Sequence, residues 1–114
     1  STGPQIDGQL AKYKEEANSE SALFLQGLSD RLAEDMTEHM HDTIRARLGF
    51  EGQKIGTRWS PGYPAIANTE HNKDIAALLG AQEKIGISVT DAGEFHPTGC
   101  TGALVSFHPG ARYS

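Results

Sequence analysis

Phe24, Leu28, Leu32, Met36, Met40, Ile44 and Leu48 recur at an unbroken spacing of four, with Asp, Glu and Arg between them. That spacing predicts one long helix from about Ser19, and Gly49 stands where a C-terminal cap belongs. Each step of four advances the stripe by ~40° on a helix of 3.6 residues per turn, so the stripe winds around the axis and its two ends face different neighbours. A helix of this span is ~45 Å long, whereas a compact globule of this size has a radius of gyration of ~13 Å. Either the helix bends or part of it packs on something outside this chain, and the second is expected. Met36 and Met40, within the stripe, read as core filler.

The remaining patterns are shorter. Ser1 to Ile6 carry no periodicity and are expected to be a disordered lead. Asp7 is a candidate N-cap for a short helix through Leu10-Ala11 and the run Lys12 to Glu16, which falters at Asn18-Ser19. Residues 50–57 are glycine-punctuated and irregular; Gly52 and Gly56 lack the Lys-Ser/Thr pair that a phosphate-binding loop needs. Asn68 or Thr69 caps a helix that runs through Ile75, Leu78 and Leu79 to about Lys84 and stops at Gly86. Ile87 to Thr90 reads as a strand, and Thr101 to Phe107 as a second, hairpin-like partner, with Pro97 and Gly99 in the link between them. The fold class expected is α+β, with a long helix and shorter helices packed on a small antiparallel strand pair, and residues 7–114 forming one incomplete domain.

Between the long helix and the next lies Arg58-Trp59-Ser60-Pro61-Gly62-Tyr63-Pro64-Ala65. Pro61 pre-sets φ for the second position of a tight turn, and Gly62 accepts the positive φ that a type II turn requires next. Pro64 biases Tyr63 towards extended backbone, so its ring projects from the turn. Arg58, three residues before the turn, carries a planar fork of donors suited to a carboxylate, in a setting that is otherwise read as a tied-down loop with a solvated arginine.

Composition narrows the partners. Fifteen acidic against ten basic residues give the 114-residue chain a formal charge of −5, and no basic run is long, which argues against nucleic acid and anionic membrane. No apolar run is long enough to span a membrane and no signal-peptide pattern opens the sequence, so a cytoplasmic location is expected. The single cysteine, Cys100, excludes an internal disulfide and a thiolate metal site of its own. His39 and His41, two apart on a helix, point about 200° apart and do not share a metal, while His71, His96 and His108 have no ligand spacing. No metal site and no catalytic residue is assigned. Glu34 and Glu38, one turn apart on the long helix, read either as a solvated face or as the lining of a pocket for a cation.

Four stretches carry a resemblance: Leu28 to Glu34 with His41 and Arg45 downstream; Arg58 to Ala65; Gly86 to Asp91; and Phe107-His108-Pro109 with Arg112-Tyr113. Together they resemble the C-terminal part of the S-adenosylmethionine-binding activation domain of cobalamin-dependent methionine synthases, a family marked by Arg-x-x-x-Gly-Tyr followed by Pro-Ala. The chain departs from that pattern at Ile66-Ala67-Asn68-Thr69, where the family usually carries Cys-Pro-Asp/Glu-His, and at Leu104 and Val105, where aromatic residues are usual. The resemblance covers roughly the C-terminal third to half of the family domain.

It implies that Arg58 holds the carboxylate of S-adenosylmethionine, that Glu34 meets its amino or sulfonium-bearing end, and that Tyr113 closes the pocket. Gly62 and Tyr63 lie where ligand methyl group and corrinoid meet, with Tyr63 facing the corrinoid. The implied function is reductive remethylation of cob(II)alamin within a methionine synthase, a methyltransferase. S-adenosylmethionine is then bound here and cobalamin by a partner domain or subunit, with flavodoxin or another reductase as electron donor. The missing remainder of the activation domain, or a second copy, is the other expected partner. The alternative is a non-enzymatic subunit, or degenerate family member, serving in protein interaction.

Overall fold

In the computed structural model, which describes residues 1–111, the long helix is bounded by two capping devices that the sequence supplies. Asn18 accepts a hydrogen bond from the Ser21 N–H at 3.2 Å and starts α2 (Ser19–Arg47), satisfying one of the helix's orphan donors. At the other end Gly49 takes φ +84°, its N–H reaches Ala46 O, and the Phe50 N–H reaches Arg45 O at 2.8 Å, a Schellman closure. α1 (Gln5–Glu15) folds back on α2, with Leu10 and Ala22 buried.

The N-terminal residues are tied to the fold rather than trailing from it. α1 begins at Gln5, the Thr2 N–H donates to Gly99 O at 2.6 Å, and Thr2 Oγ1 lies 2.8 Å from Ser29 Oγ. Asp7, expected as an N-cap, sits in the first turn of α1 and its carboxylate accepts instead from the N–H and hydroxyl of Thr98.

After α2 come β1 (Thr57–Trp59), α3 (His71–Leu79), α4 (Ala81–Ile85), β2 (Ser88–Val89), β3 (Phe95–His96) and β4 (Leu104–Ser106). The α+β class stands, with two antiparallel pairs. The segments expected to form a hairpin with each other take different partners. β2 pairs with β3 (Val89 opposite Phe95), and β4 pairs with β1 (Arg58 opposite Val105). The helix expected from residue 69 to 84 is divided at Gly80, whose φ of +62° ends α3 and whose backbone opens α4.

The apolar stripe that predicts α2 is not the face it buries within this chain. Ala22, Ser29, Ala33 and His41 are buried, while Phe24, Leu28, Leu32, Met36 and Met40 are 74%, 55%, 49%, 45% and 56% exposed. Met36 and Met40 are thus not core filler here. Apart from His41, the buried face is built from small residues, and other backbone comes close to it: a Cβ on Gly99 would lie 2.1 Å from Ser29 Oγ. The remaining core is small, centred on Ile75, Ala81 and Ile87. The molecule measures 50 × 28 × 28 Å with a radius of gyration of 15.8 Å, more extended than the ~13 Å of a compact domain this long.

Candidate functional site

β1 is short but anchored on both sides of Arg58. The Thr57 hydroxyl donates to Ala111 O at 3.0 Å and Trp59 Nε1–H donates to Ser106 Oγ at 2.7 Å. Successive side chains of a strand alternate between faces, so fixing residues 57 and 59 sends Arg58 the other way, towards α2. There its Nη2 lies 3.3 Å from Glu38 Oε2 and 3.7 Å from Glu34 Oε2. The Arg58 side chain is 22% exposed and those of Glu34 and Glu38 are 52% and 58% exposed, so the cation is the more enclosed partner and the anions stand nearer solvent.

These three groups line a cavity of about 390 Å³ with His41, Arg45, Thr57, Ser60 and Tyr63. Glu34, Glu38, His41 and Arg45 come from one face of α2, at steps of four, three and four. His41 is 3% exposed and packs edge-on against Phe107; its pKa is lowered from the ordinary 6.5, chiefly by burial and then by the Arg45 charge. Arg45 is committed elsewhere: its Nε–H donates to Ile55 O at 2.9 Å and its Nη1 pairs with Asp42 at 2.8 Å.

Past Pro61, Gly62 takes φ +96°, the conformation expected for the turn, and its N–H donates to Ile66 O at 2.8 Å. Tyr63 emerges 54% exposed. It also borders a second cavity of about 390 Å³ that shares Glu34 and Ser60 with the first and reaches Asp30, Asn72, Phe95 and Cys100. The two form one trough along α2. Burial raises the Cys100 pKa above its ordinary value, which keeps the sulfur a thiol. Among the described residues no group of three or more His, Cys, Asp or Glu is placed to hold a metal ion.

Of the residues singled out from the sequence, Glu34, Arg58 and Tyr63 share the trough, and Gly62 supplies the turn that delivers Tyr63. Tyr113 lies outside the described residues. In the sequence His41 figures as half of a His39–His41 pair unfit for a metal and as part of the family resemblance, and neither gives it a role in the site. The signal that finds it is the polar 34, 38, 41, 45 series.

The family model described as "Vitamin B12 dependent methionine synthase, activation domain" matches residues 1–114. The chain belongs to this family. Among relatives, the methionine synthase of Mycobacterium tuberculosis (strain ATCC 25618 / H37Rv) is 29% identical over 109 aligned residues, covering 80% of this chain and 9% of that protein. The methionine synthase of Mycobacterium leprae (strain TN) is 28% identical with the same coverage. This chain thus spans about a tenth of the length of the curated relatives it matches. Among solved structures, a MetH reactivation domain bound to AdoHcy superposes with a TM-score of 0.88 at 22% identity, over 98% of this chain and 38% of that one. At that identity the likeness speaks for the fold: α2, β1 and the turn after it are arranged as in the activation-domain family.

Proposed function

We propose that this chain forms the S-adenosylmethionine-binding part of a corrinoid reactivation module in a cobalamin-dependent methionine synthase. The observation that carries the reading is the meeting of Arg58 from β1 with Glu34 and Glu38 from α2, at the head of a trough that Tyr63 borders. An α-amino acid head is a carboxylate beside an ammonium, and this cluster sets a guanidinium fork beside carboxylates. The AdoHcy in the similar reactivation domain carries that same head.

In this reading Arg58 holds the ligand carboxylate, Glu34 receives the ammonium end, and Gly62-Tyr63 presents backbone and ring to the methyl-bearing centre, with Tyr113 closing the pocket. A corrinoid carried by a partner domain or subunit would supply the methyl-accepting chemistry, so no general base is asked of this chain. Its residues supply proximity and orientation. The half-exposed Tyr63 is the corrinoid-facing residue, and flavodoxin or another reductase delivers the electron.

The uncovered stripe of α2 belongs to the same reading. Its exposed Phe24, Leu28, Leu32, Met36 and Met40 form the kind of apolar surface that marks an interaction site, and the similar solved domain is more than twice as long as the part this chain matches. The remainder of an activation domain is the partner that this face suits. Titration with S-adenosylmethionine, of the chain alone and of the chain with that remainder, tests the reading; binding in at least one form is expected, and none in either contradicts it.

A further inference from the structure

We propose that Glu38 is a latch on Arg58, holding in the free protein the guanidinium nitrogen that a ligand carboxylate needs, and leaving when the carboxylate arrives. The proposal rests on the reading of Arg58 as carboxylate anchor and adds a residue that regulates it.

Arginine offers two edges for bidentate pairing, Nη1 with Nη2 or Nε with Nη2, and both include Nη2. That is the nitrogen on which both glutamates converge. Glu38 Oε2 accepts a hydrogen bond from it at 3.3 Å, whereas Glu34 Oε2, at 3.7 Å, is an ion-pair neighbour beyond hydrogen-bonding range. Nη2 has one N–H on each edge, and Glu38, which lines the cavity together with Arg58, takes one of them, so a carboxylate that docks from the cavity through two bonds on that edge takes the position Glu38 occupies. Glu38 is free to yield it: its side chain is 58% exposed and stands on the rim of the cavity. Arg58, 22% exposed and set in β1 between two anchored neighbours, stays in place. Arg45, the other cation lining the cavity, already bonds Ile55 O and Asp42.

Such an exchange swaps one anion for another and leaves Glu34 beside the newcomer. A simple carboxylic acid would place a negative charge against Glu34 without compensation. A zwitterionic amino acid head brings an ammonium to Glu34 together with the carboxylate for Arg58. The latch therefore favours zwitterions, and a nucleoside without an amino acid head leaves it closed.

Glu38→Gln tests this, because the amide keeps the size but not the charge and the residue lies on an exposed helix face. Calorimetric titration of the binding-competent chain is expected to show S-adenosylhomocysteine bound roughly two- to fivefold more tightly by the variant, the factor corresponding to a partly exposed ion pair. Affinity for 5′-methylthioadenosine is expected to stay the same. A readout independent of ligand is the rate at which phenylglyoxal labels Arg58, followed by mass spectrometry, which is expected to rise severalfold in Glu38→Gln. Weaker binding of S-adenosylhomocysteine by the variant would make Glu38 a ligand contact and overturn the latch, as would unchanged labelling. A wild-type chain that binds neither nucleoside would count against the ligand reading itself, and the labelling rate would still judge the latch.

Discussion

His41 meets Phe107 edge to face, with ring centroids 5.9 Å apart and an interplanar angle of 64°. His41 lines the cavity, and its buried imidazole has no hydrogen-bond partner for Nε2 among the described residues. Burial, then Arg45, and more weakly Arg58 hold its pKa below 6.5, against the opposing pull of Glu38 and Asp42.

The first prediction follows from that depressed pKa. Above about pH 6.5 His41 is neutral in both folded and unfolded chains and costs nothing. As pH falls through 6.5 the unfolded chain takes up the proton first, so stability drops until the lower folded pKa is passed. Denaturant midpoints measured from pH 8 to pH 5 are expected to fall on the acid side in the wild type and to fall less in His41→Gln. Equal slopes in the two proteins would mean that His41 does not carry the effect.

Gly56 packs against the same Phe107 ring. Its φ is +92°, and a Cβ there would lie 2.7 Å from Phe107 Cδ1 and 2.8 Å from Ser106 O. Gly56→Ala adds backbone strain and a collision with backbone that has little room to move, and is expected to destabilise by about 1–3 kcal/mol. Thermal unfolding checks this, and a midpoint equal to wild type would show that the β1–β4 pair tolerates a side chain at 56.

The exposed stripe on α2 predicts association. With Leu28, Leu32 and Met36 uncovered, the melting temperature is expected to rise with protein concentration or with added activation-domain remainder, by mass action. Leu32→Glu is expected to weaken that dependence without disturbing the buried Ser29–Ala33 face. A sharp, concentration-independent transition together with a monomeric mass by light scattering would contradict this, and would mean the small core suffices alone.

Tyr63 predicts a corrinoid effect. Since it leaves the Pro61-Gly62 turn half exposed, Tyr63→Phe is expected to alter the visible spectrum of cob(II)alamin in the assembled system, or its remethylation rate, while ligand affinity stays close to wild type. Identical spectra and rates would make Tyr63 a structural residue of the turn.

How far the sequence reveals this molecule depends on the range of the interactions involved. α2 and the Gly62 turn are legible because their determinants are local: a four-residue period, Asn18 and Gly49 at the ends, Pro61 beside a glycine. Pairing of strands is not local. Thr57 falls at the end of a segment that looks irregular and Arg58-Trp59 in the approach to a turn, because three residues show no alternation, and they become a strand only when β4 lies beside them. The stripe on α2 is legible as apolar but silent about its partner, and within this chain the buried side turns out to be the small residues between. Arg58 and Glu34 emerge from the family motif and Glu38 from its one-turn spacing to Glu34, but placing His41 beside them requires the helix face to be read as a polar series in its own right.

In the proposed function Arg58 anchors the carboxylate of an S-adenosyl amino acid. Isothermal titration of S-adenosylhomocysteine into the wild type and into Arg58→Ala and Arg58→Lys tests it most directly. The account predicts a loss of about 2–5 kcal/mol for the alanine variant, the cost of stripping one partner from a desolvated charge pair. It predicts incomplete recovery for lysine, whose ammonium cannot reproduce a two-bond fork. Wild-type affinity in Arg58→Ala would contradict it.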